Sequence, residues 1–258
     1  MFMVLYFIGI GLYDEKDVSL RALEIIKKCS IIYLENYTSI LSCSVKKLEE
    51  FYEKKIILAS RELVEKKAEE TILKHALEKD VAFLVVGDPM SATTHIDLRL
   101  RAEKAGIECV IIHNASVFSA IGVTGLQLYK FGRTTSIPFQ EENWHPETPY
   151  DVIKENMKKG LHTLLLLDLR PHEKRFMTIN QAIEYLLSIE EKRKEKVFSK
   201  GLLCVGCARL GSLKPYIKAG TAEELLKEDF GKPMHCLIVP GKLHFAEEEA
   251  LELFKIHK

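Results

Sequence analysis

The segment VVGDPMSATTH, residues 85–95, combines side chains that can do chemistry with residues that fix a backbone turn. A carboxylate, Asp88, stands between Gly87 and Pro89, and hydroxyl and imidazole side chains follow. Glycine adopts conformations closed to other residues, proline fixes its own φ, and the residue before a proline is pushed into an extended conformation. The pattern predicts a stiff turn that presents a carboxylate to a ligand, although an Asp88 that only caps its own turn explains the same residues.

A second turn is predicted in FIGIGL, residues 7–12, where Gly9 and Gly11 end the first apolar segment. Two glycines one residue apart allow a ligand or another backbone to approach closely. The third glycine of the dinucleotide fingerprint G-x-G-x-x-G is replaced by Asp14, and the sequence has no G-x-x-x-x-G-K-[ST] phosphate loop. The sequence therefore argues against a Rossmann dehydrogenase and against a P-loop nucleotide hydrolase.

The elements that must position these turns alternate between strand and helix patterns. Short apolar segments predict five strands, at residues 4–8, 31–34, 56–59, 81–86 and 109–112. Helix-length charged segments connect them, which is the pattern of an α/β sheet. In such sheets ligands bind beyond the carboxyl ends of the strands, and the G-D-P turn (Gly87, Asp88 and Pro89) follows the fourth strand directly.

Two connecting segments carry helix signals. Residues 61–80 predict one helix that lies on the sheet, with Val64, Ala68, Ile72 and Ala76 spaced four apart and Leu73 and Leu77 beside them. Thr94 and Asp97 have the spacing of a capping box, and Gly106 fits the C-terminal cap of the same helix.

After Asn114 the pattern is less regular and predicts a second α/β domain, so the domains are expected at 1–114 and 115–258. A helix is expected at residues 116–129, and strands at 163–167, 202–208 and 235–239. Thr178 and Gln181 form a further capping box before a helix with a continuous apolar face. The polar and aromatic residues 141–150, which include Trp144 and Tyr150, are expected to form a loop that contacts a substrate or a second subunit.

Composition excludes several classes of protein. With 47% apolar residues in 258 and 37 basic against 37 acidic residues, the chain is globular and has no net attraction to nucleic acid or membranes. The N-terminal apolar run is shorter than the roughly 20 residues of a membrane helix and lacks a signal-peptide pattern, so a cytoplasmic protein is expected. Cys204 and Cys207 form a C-x-x-C, but their odd spacing within a predicted strand puts them on opposite faces, and no metal is expected.

Several segments in register resemble the tetrapyrrole-methylase-like (class III) methyltransferases and, among them, the diphthine synthase branch. They are FIGIGLYDEKDVSLRALEIIKKC, YLENYTSIL, VVGDPMSATTH, IIHNASVFSAIGVTGLQLYKFG, HTLLLLDL, CVGCARLGS and LIVPGKLH. The resemblance extends to about Phe254. It implies two consecutive α/β domains with S-adenosylmethionine in the interdomain cleft, a homodimer, and a protein substrate, elongation factor 2 with a 3-amino-3-carboxypropyl group on one histidine.

Two departures bear on the substrate. Residues 13–17, YDEKD, replace the P-G-D-P of related tetrapyrrole methylases, and residues 92–95, ATTH, match the diphthine synthase branch better than the tetrapyrrole enzymes. A tetrapyrrole methyltransferase remains the enzymatic alternative, and a non-catalytic α/β binding module is the other. VVGDP, HNAS and LCVG resemble the eukaryotic type, which also esterifies the carboxylate, so four methylations are expected rather than three.

The resemblance also implies which residues contact the cofactor. They are Leu12, Gly87, Asp88, Ser91, Ser116, Val117, Leu167, Leu210 and His235. Leucine and valine supply the apolar walls that a nucleoside and a methionine chain need, and Asp88 and Ser91 supply polar contacts. Lys130, Arg133 and Arg209 are candidates for binding the carboxylate of the acceptor.

Methyl transfer from a sulfonium to an amine needs alignment of the two groups and little covalent help. No catalytic residue is therefore assigned from the sequence. The amine must still lose a proton, and His95, His113 and His235 are the candidates to accept it.

Overall fold

The computed structural model describes residues 3–256, which form two compact units that divide along the chain between Phe118 and Ser119. The boundary expected from the sequence, after Asn114, lies four residues earlier, and the observed division falls within the short helix Val117–Ala120. No helix within residues 3–256 combines the length and the apolar composition that a membrane span requires.

The first unit is a parallel β-sheet with helices on both faces. Its strands are β1 (Val4–Gly9), β2 (Ile31–Glu35), β3 (Ile56–Ala59), β4 (Val81–Val85) and β5 (Glu108–Ile112), and they lie in the order β3-β2-β4-β1-β5. Its helices are α1 (Leu20–Lys28), α2 (Val45–Tyr52), α3 (Arg61–Lys66), α4 (Ile72–Glu78) and α5 (His95–Lys104). All five predicted strands are confirmed to within one residue at each end.

Side chains alternate across this sheet and build a core on each face. Phe7 and Phe83 lie in one core, with residues of α4 and α5. Ile8 and Leu84 lie in the other, with residues of α1 and α2. Because both faces are covered, the strands are almost continuously apolar, and ligands are expected at the loops beyond their carboxyl ends.

Helix α5 begins and ends near the predicted residues, but only its end is capped as predicted. The N–H of Gly106 donates to the Glu103 carbonyl and the N–H of Ile107 to the Ala102 carbonyl, both at 3.0 Å, which is a Schellman motif. The capping box at Thr94 is wrong: Thr94 has φ −101° and ψ 10° and caps nothing with its side chain. A capping hydroxyl needs an extended backbone to reach the third helical N–H, and Thr94 lacks it.

Residues 61–78 form two helices, α3 and α4, where the sequence predicted one. The apolar stripe is buried as predicted, at Val64, Ala68, Ile72, Leu73 and Ala76. Leu77, in contrast, is 59% exposed. The four-apart spacing of the buried stripe continues across the break between α3 and α4, and Leu77 lies outside the stripe.

The second unit is also α/β, but its sheet is mixed. The short helix α6 (Val117–Ala120) precedes strands β6 (Thr135–Ile137), β7 (Thr163–Leu167), β8 (Leu169–Arg170), β9 (Arg175–Phe176), β10 (Leu203–Ala208), β11 (Tyr216–Thr221) and β12 (His235–Val239). The helices that follow α6 are α7 (Thr148–Lys158), α8 (Ile179–Arg193), α9 (Ala222–Leu225) and α10 (Phe245–Glu252). The main sheet has the order β11-β10-β12-β7-β6, in which β6 and β7 are parallel and the other pairs antiparallel. The predicted class of two consecutive α/β domains is confirmed.

Details of the second unit differ from the prediction. The helix expected at residues 116–129 is wrong, because the chain forms α6 and two 3₁₀ turns, Ile121–Thr124 and Leu128–Lys130, separated by Gly125 at φ +81°. Four strands, β6, β8, β9 and β11, were not predicted. The capping box of Thr178 and Gln181 is confirmed at the start of α8.

Candidate functional site

The G-D-P turn lies just beyond the carboxyl end of β4, as predicted. Gly87 has φ +82°, and its N–H donates to the carbonyl of Gly11 at 2.7 Å. Gly11 has φ +80°, and the two glycines form an isolated antiparallel bridge. Since β1 and β4 are neighbours in the sheet, the turns that follow them form one structure at its carboxyl edge.

Asp17 fixes the turn after β1. Its Oδ2 accepts hydrogen bonds from the N–H groups of Leu12 at 3.1 Å and Tyr13 at 2.7 Å. Sequence reasoning missed this role because residues 13–17 were considered only as a departure from a family motif. A carboxylate a few residues beyond a glycine turn was the available signal.

Asp88 is 7% exposed, and both of its carboxylate oxygens are hydrogen bonded. Oδ1 accepts from the N–H of Met90 at 2.9 Å and from the Ser91 hydroxyl at 3.3 Å, and Oδ2 accepts from the N–H of Asn114 at 3.2 Å and faces His113 Nδ1 at 2.7 Å. Burial raises the pKa of Asp88, but the hydrogen bonds outweigh burial and hold that pKa below its usual value. Asp88 therefore holds its own turn, and its role as a cofactor contact stays a prediction.

His113 is oriented by Asp88. Because a carboxylate only accepts hydrogen bonds, Nδ1 of His113 carries the hydrogen and Nε2 keeps a lone pair. The His113 side chain is 70% exposed, whereas that of Asp88 is 7% exposed. An accessible imidazole held by a buried carboxylate is an arrangement that can accept a proton.

Asn114 connects the turns after β1 and β5. Its Nδ2 donates to the carbonyls of Gly9 and Asp17, both at 3.0 Å. Its Oδ1 accepts from the N–H of Ala115 at 2.7 Å. No role was predicted for Asn114 beyond its place in the HNASV segment, because these bonds depend on β5 lying beside β1.

The predicted cofactor contacts of the first unit surround Gly87. A Cβ atom at Gly87 would stand 3.6 Å from Leu12 Cδ2, 3.7 Å from the Ala115 carbonyl oxygen and 4.0 Å from Ser116 Cα. The missing side chain of Gly87 thus leaves the space of at least a Cβ atom free beside Leu12 and Ser116, and we call this space the hollow beside Gly87. Ser91 belongs to the same turn through Asp88, and Val117 follows Ser116 at the start of α6.

The predicted contacts of the second unit lie together at one edge of its sheet. His235 begins β12 and pairs with Ala208 at the end of β10, and Leu210 follows two residues later. Leu167 ends β7, which runs antiparallel to β12. Because Cys236 lies opposite Leu166, Leu167 and His235 are at the same end of these two strands. Their role as cofactor contacts stays a prediction.

The three candidate substrate cations have different environments. Lys130 donates to the Lys242 carbonyl at 2.8 Å and to the buried carboxylate of Glu247. Arg209 donates to two backbone carbonyls, of Phe230 at 2.7 Å and Lys232 at 2.5 Å. Arg133 is exposed. Lys130 and Arg209 therefore have structural partners inside their own unit, and a substrate role stays a prediction for all three.

The other two candidate histidines are buried. His95 is 1% exposed and faces the Pro89 carbonyl through Nδ1 at 3.3 Å, and burial lowers the pKa of His95 to about 4. His235 is 7% exposed and bonds the Lys232 carbonyl through Nε2 at 3.0 Å, and burial lowers the pKa of His235 as well. Both are poorly suited to take up a proton near neutral pH.

Trp144 and Tyr150 do not form one surface. Trp144 is 51% exposed and bridges to Glu141, but Tyr150 is fully buried, where its hydroxyl donates to Glu190 at 2.7 Å. The prediction that Tyr150 contacts a protein partner is wrong, because the 141–150 segment ends inside α7 and packs Tyr150 into the core.

The C-x-x-C cysteines are structural, as predicted. Cys204 belongs to the core on one face of β10, and Cys207 is on the other face, opposite Cys236 of β12. Across residues 3–256 no group of three or more His, Cys, Asp or Glu side chains is arranged to hold a metal ion.

Comparison with known proteins identifies relatives along nearly the whole chain. The model of the tetrapyrrole (corrin/porphyrin) methylase family matches residues 4–226. The diphthine synthase of Methanococcus aeolicus is 54% identical over 245 residues, which cover 95% of this chain and 95% of that protein. The diphthine methyl ester synthase of Dictyostelium discoideum is 51% identical over 273 residues, which cover 99% of this chain and 100% of that protein.

Solved structures share the fold as well. A crystal structure of an Entamoeba histolytica protein described as a diphthine synthase has a TM-score of 0.91 at 46% identity, covering 99% of this chain and 100% of that one. Another crystal structure of a diphthine synthase has a TM-score of 0.89 at 39% identity, covering 98% and 96%.

Proposed function

Because the chain belongs to the tetrapyrrole (corrin/porphyrin) methylase family and, within it, to the diphthine synthases, it is a methyltransferase, and we propose that it methylates a modified histidine of elongation factor 2. The proposed acceptor is the amine of a 3-amino-3-carboxypropyl group on that histidine, an intermediate of diphthamide biosynthesis. We further propose S-adenosylmethionine as the methyl donor and diphthine methyl ester as the final product.

The hollow beside Gly87 is the structural observation that supports a cofactor site. Two left-handed glycines, joined by a hydrogen bond of 2.7 Å, hold the turns after β1 and β4 together and keep the space beside Leu12 and Ser116 free of side chains. An apolar wall and a nearby hydroxyl fit a nucleoside with a short polar chain.

The residues proposed to hold S-adenosylmethionine are those that the family resemblance implies. In the first unit Leu12, Gly87, Asp88, Ser91, Ser116 and Val117 would contact the ligand, and Asp88 would also stabilise the turn. From the second unit the proposed contacts are Leu167, Leu210 and His235. When bound, S-adenosylmethionine supplies a methyl group attached to a positively charged sulfur.

The protein's task is then to align an uncharged amine and to exclude water, which in favourable cases is worth several kcal/mol of the barrier. An ammonium ion has no lone pair, so a proton must leave before each transfer to nitrogen. We assign this proton to Nε2 of His113, whose Nδ1–H is held by Asp88 at 2.7 Å. A positioned proton acceptor of this kind contributes roughly 100-fold or more to rate.

The methyl ester is the proposed product because the chain matches a diphthine methyl ester synthase over 99% of its length and resembles the eukaryotic type in three turn segments. This product requires three methyl groups on nitrogen and one on the carboxylate. The tetrapyrrole alternative is kept as an outcome of the test, since the family model carries that name.

A methyl-transfer assay tests the proposal. The protein is incubated with radiolabelled S-adenosylmethionine and elongation factor 2 that bears the unmethylated 3-amino-3-carboxypropyl group. Label is expected on the factor, and mass spectrometry is expected to find four methyl groups, one of which mild alkali removes as the ester. Three alkali-stable methyl groups would contradict the ester, and labelling of uroporphyrinogen without labelling of the factor would replace the proposal by the tetrapyrrole alternative.

We also propose a cytoplasmic homodimer that binds neither membranes nor nucleic acid. Six free cysteines support a reducing compartment, and the balanced charge supports the absence of an electrostatic attraction to nucleic acid or membrane lipids. Light scattering on the purified protein tests the dimer, and a monomer mass would contradict it.

A further inference from the structure

Four of the buried polar atoms of the first unit that have no hydrogen-bond partner in the described part of the chain belong to the segments that follow β2 and β4. They are Asn36 Oδ1, the Tyr37 hydroxyl, the Thr93 hydroxyl and His95 Nε2, which belong to four side chains that we call the polar recess. Only nine side-chain atoms within residues 3–256 are of this kind, so nearly half lie in the polar recess. Unpaired buried polar groups oppose folding, and such a concentration points to a ligand.

The polar recess lies at the ends of two neighbouring strands. Asn36 and Tyr37 follow β2, and Thr93 and His95 follow β4 through the G-D-P turn. β2 and β4 are adjacent and parallel, so both segments lie at the carboxyl edge of the sheet, where α/β proteins bind ligands. The rings of Tyr37 and His95 meet edge to face with their centroids 6.5 Å apart, which places the two side chains together.

The two aromatic members are too deeply buried to be ordinary surface groups. Tyr37 is 5% exposed and His95 is 1% exposed. Tyr37 also packs in the core of Phe7 and Phe83, so its hydroxyl is held in one place by an apolar ring. Because the G-D-P turn connects the polar recess to the hollow beside Gly87, both lie at the same edge of one sheet.

The chemistry of the four atoms selects a hydrogen-bond donor. All four can accept a hydrogen bond, and two of them only accept: the carboxamide oxygen of Asn36, and Nε2 of His95, whose Nδ1–H faces the Pro89 carbonyl. Burial lowers the pKa of His95 to about 4, so the imidazole is neutral near pH 7 and Nε2 keeps its lone pair. A carboxylate or phosphate would face lone pairs here, whereas a primary amine brings two or three N–H donors in a small volume.

Charges near the polar recess agree with an amine that has a carboxylate beside it. The buried carboxylate of Glu35 lies directly before Asn36 and accepts from the N–H groups of Tyr37 and Thr38, both at 2.6 Å. The guanidinium of Arg61 lies over the Tyr37 ring, 5.3 Å from its centroid. The carboxylate that neighbours the amine would therefore find the guanidinium of Arg61, whereas burial raises the pKa of Glu35, whose oxygens accept hydrogen bonds from Tyr37 and Thr38.

We propose that the polar recess receives the primary amine of the acceptor side chain, an inference that rests on the proposed function. When the hydrogen-bond acceptors of the polar recess bind the N–H groups of the amine, the nitrogen lone pair points away from the polar recess. A fully methylated ammonium has no N–H left, so the same contacts distinguish the substrate from the product. The α-amine of S-adenosylmethionine has the same chemistry, and the experiment separates these two sources.

Two substitutions remove single atoms from the polar recess. Tyr37→Phe deletes only the hydroxyl, and His95→Asn deletes Nε2 while keeping an N–H that can donate to Pro89. The matched control is Tyr52→Phe, because Tyr52 is fully buried, has an equally unpaired hydroxyl, and packs in the core on the other face of the sheet. For each variant the measurements are kcat and KM for modified elongation factor 2, the affinity for S-adenosylhomocysteine by calorimetry, and the melting temperature.

Tyr37→Phe and His95→Asn are each expected to lower kcat/KM for the acceptor about tenfold, mainly through KM, as for loss of one hydrogen bond to a polar substrate group. The affinity for S-adenosylhomocysteine should stay within about twofold of wild type, and Tyr52→Phe should leave all values unchanged. Unchanged kcat/KM in folded Tyr37→Phe would overturn the inference, since the recess would then hold only solvent. A parallel loss of S-adenosylhomocysteine affinity would overturn it in favour of the cofactor's amine. If wild type transfers no methyl to the factor, the proposed function fails and the inference fails with it.

Discussion

His113 and His95 both use Nδ1 to contact the G-D-P turn, one at the Asp88 carboxylate and the other at the Pro89 carbonyl, but their environments are opposite. The side chain of His113 is 70% exposed, and its buried partner is ionised. His95 is 1% exposed, and burial lowers the pKa of His95 to about 4. The same side chain on the two sides of one turn is therefore exposed beside a carboxylate in one position, and buried and uncharged near neutral pH in the other.

This difference shows that location along the chain does not fix what a histidine does. Both residues lie close to the G-D-P turn in sequence, and sequence reasoning treated them as equal candidates for the proton acceptor. Burial and the partner of Nδ1 separate them, and both depend on which strands are neighbours. The G-D-P turn is the common support, so a change in the turn affects both sides, whereas a change in one histidine affects only its own side.

The largest effect is expected from Gly87→Val, which breaks the support of both histidines. Gly87 has φ +82°, and a β-branched residue there is strained by roughly 1–2 kcal/mol while its side chain enters the hollow beside Leu12 and Ser116. We expect no measurable binding of S-adenosylhomocysteine by calorimetry.

Gly106→Val is the matched control for backbone strain. Gly106 has φ +76°, and a Cβ atom there would meet no atom within 4 Å. Both variants should lose stability, but only Gly87→Val should lose the ligand. Equal affinities in the two variants would remove the hollow beside Gly87 from the proposed site.

The next effect is expected from His113→Ala, which removes the exposed histidine alone. If Nε2 of His113 takes the proton of the amine, kcat should fall about 100-fold, and free imidazole should restore part of the rate because the place of the side chain is open to solvent. The affinity for S-adenosylhomocysteine should remain within about threefold.

The exposed His172, in the 3₁₀ turn Pro171–Glu173, provides the control for loss of a surface imidazole. His172→Ala should retain the wild-type rate. A His113→Ala variant that methylates at the wild-type rate would leave solvent as the proton acceptor and reduce the Asp88–His113 contact to a support of the turn.

The first unit was predictable from the sequence because its signals are local. Each buried strand is a continuous apolar segment, and Gly87 and Asp88 follow one of them directly, so the position of the turn could be predicted before its contacts were known. The Schellman end of α5 was also predictable, because a glycine just after a predicted helix is itself a signal of a C-terminal cap. In the structure Gly106 has the left-handed φ of +76° that such a cap requires.

The features that the sequence did not reveal depend on contacts between distant residues. The bonds of Asn114 to Gly9 and Asp17 join segments about 100 positions apart, and neither segment alone contains the pattern. Lys130 was a candidate for binding the acceptor's carboxylate, and its ion-pair partner could not be named from the sequence because Glu247 lies in the last helix, more than 100 positions away. Tyr150 looked like part of an exposed loop, since the start of α7 carries no side-chain cap that marks where the loop ends.

The smallest effect is expected for His95, the buried histidine, and is measured as the pH dependence of the free energy of unfolding. Burial lowers the pKa of His95 from 6.5 to about 4, so between these values the unfolded chain binds a proton that the folded chain does not. The free energy of unfolding should therefore rise with pH in this window, and His95 should account for about 1 kcal/mol of the rise between pH 5 and pH 6. His95→Asn removes this contribution, which urea unfolding at the two pH values measures as a smaller difference than in wild type. His172→Ala should keep the wild-type difference, because it leaves the buried imidazole of His95 in place and removes only an exposed side chain. If His95→Asn kept it too, the imidazole of His95 would be charging inside the folded protein, and the contrast between the two sides of the G-D-P turn would be lost.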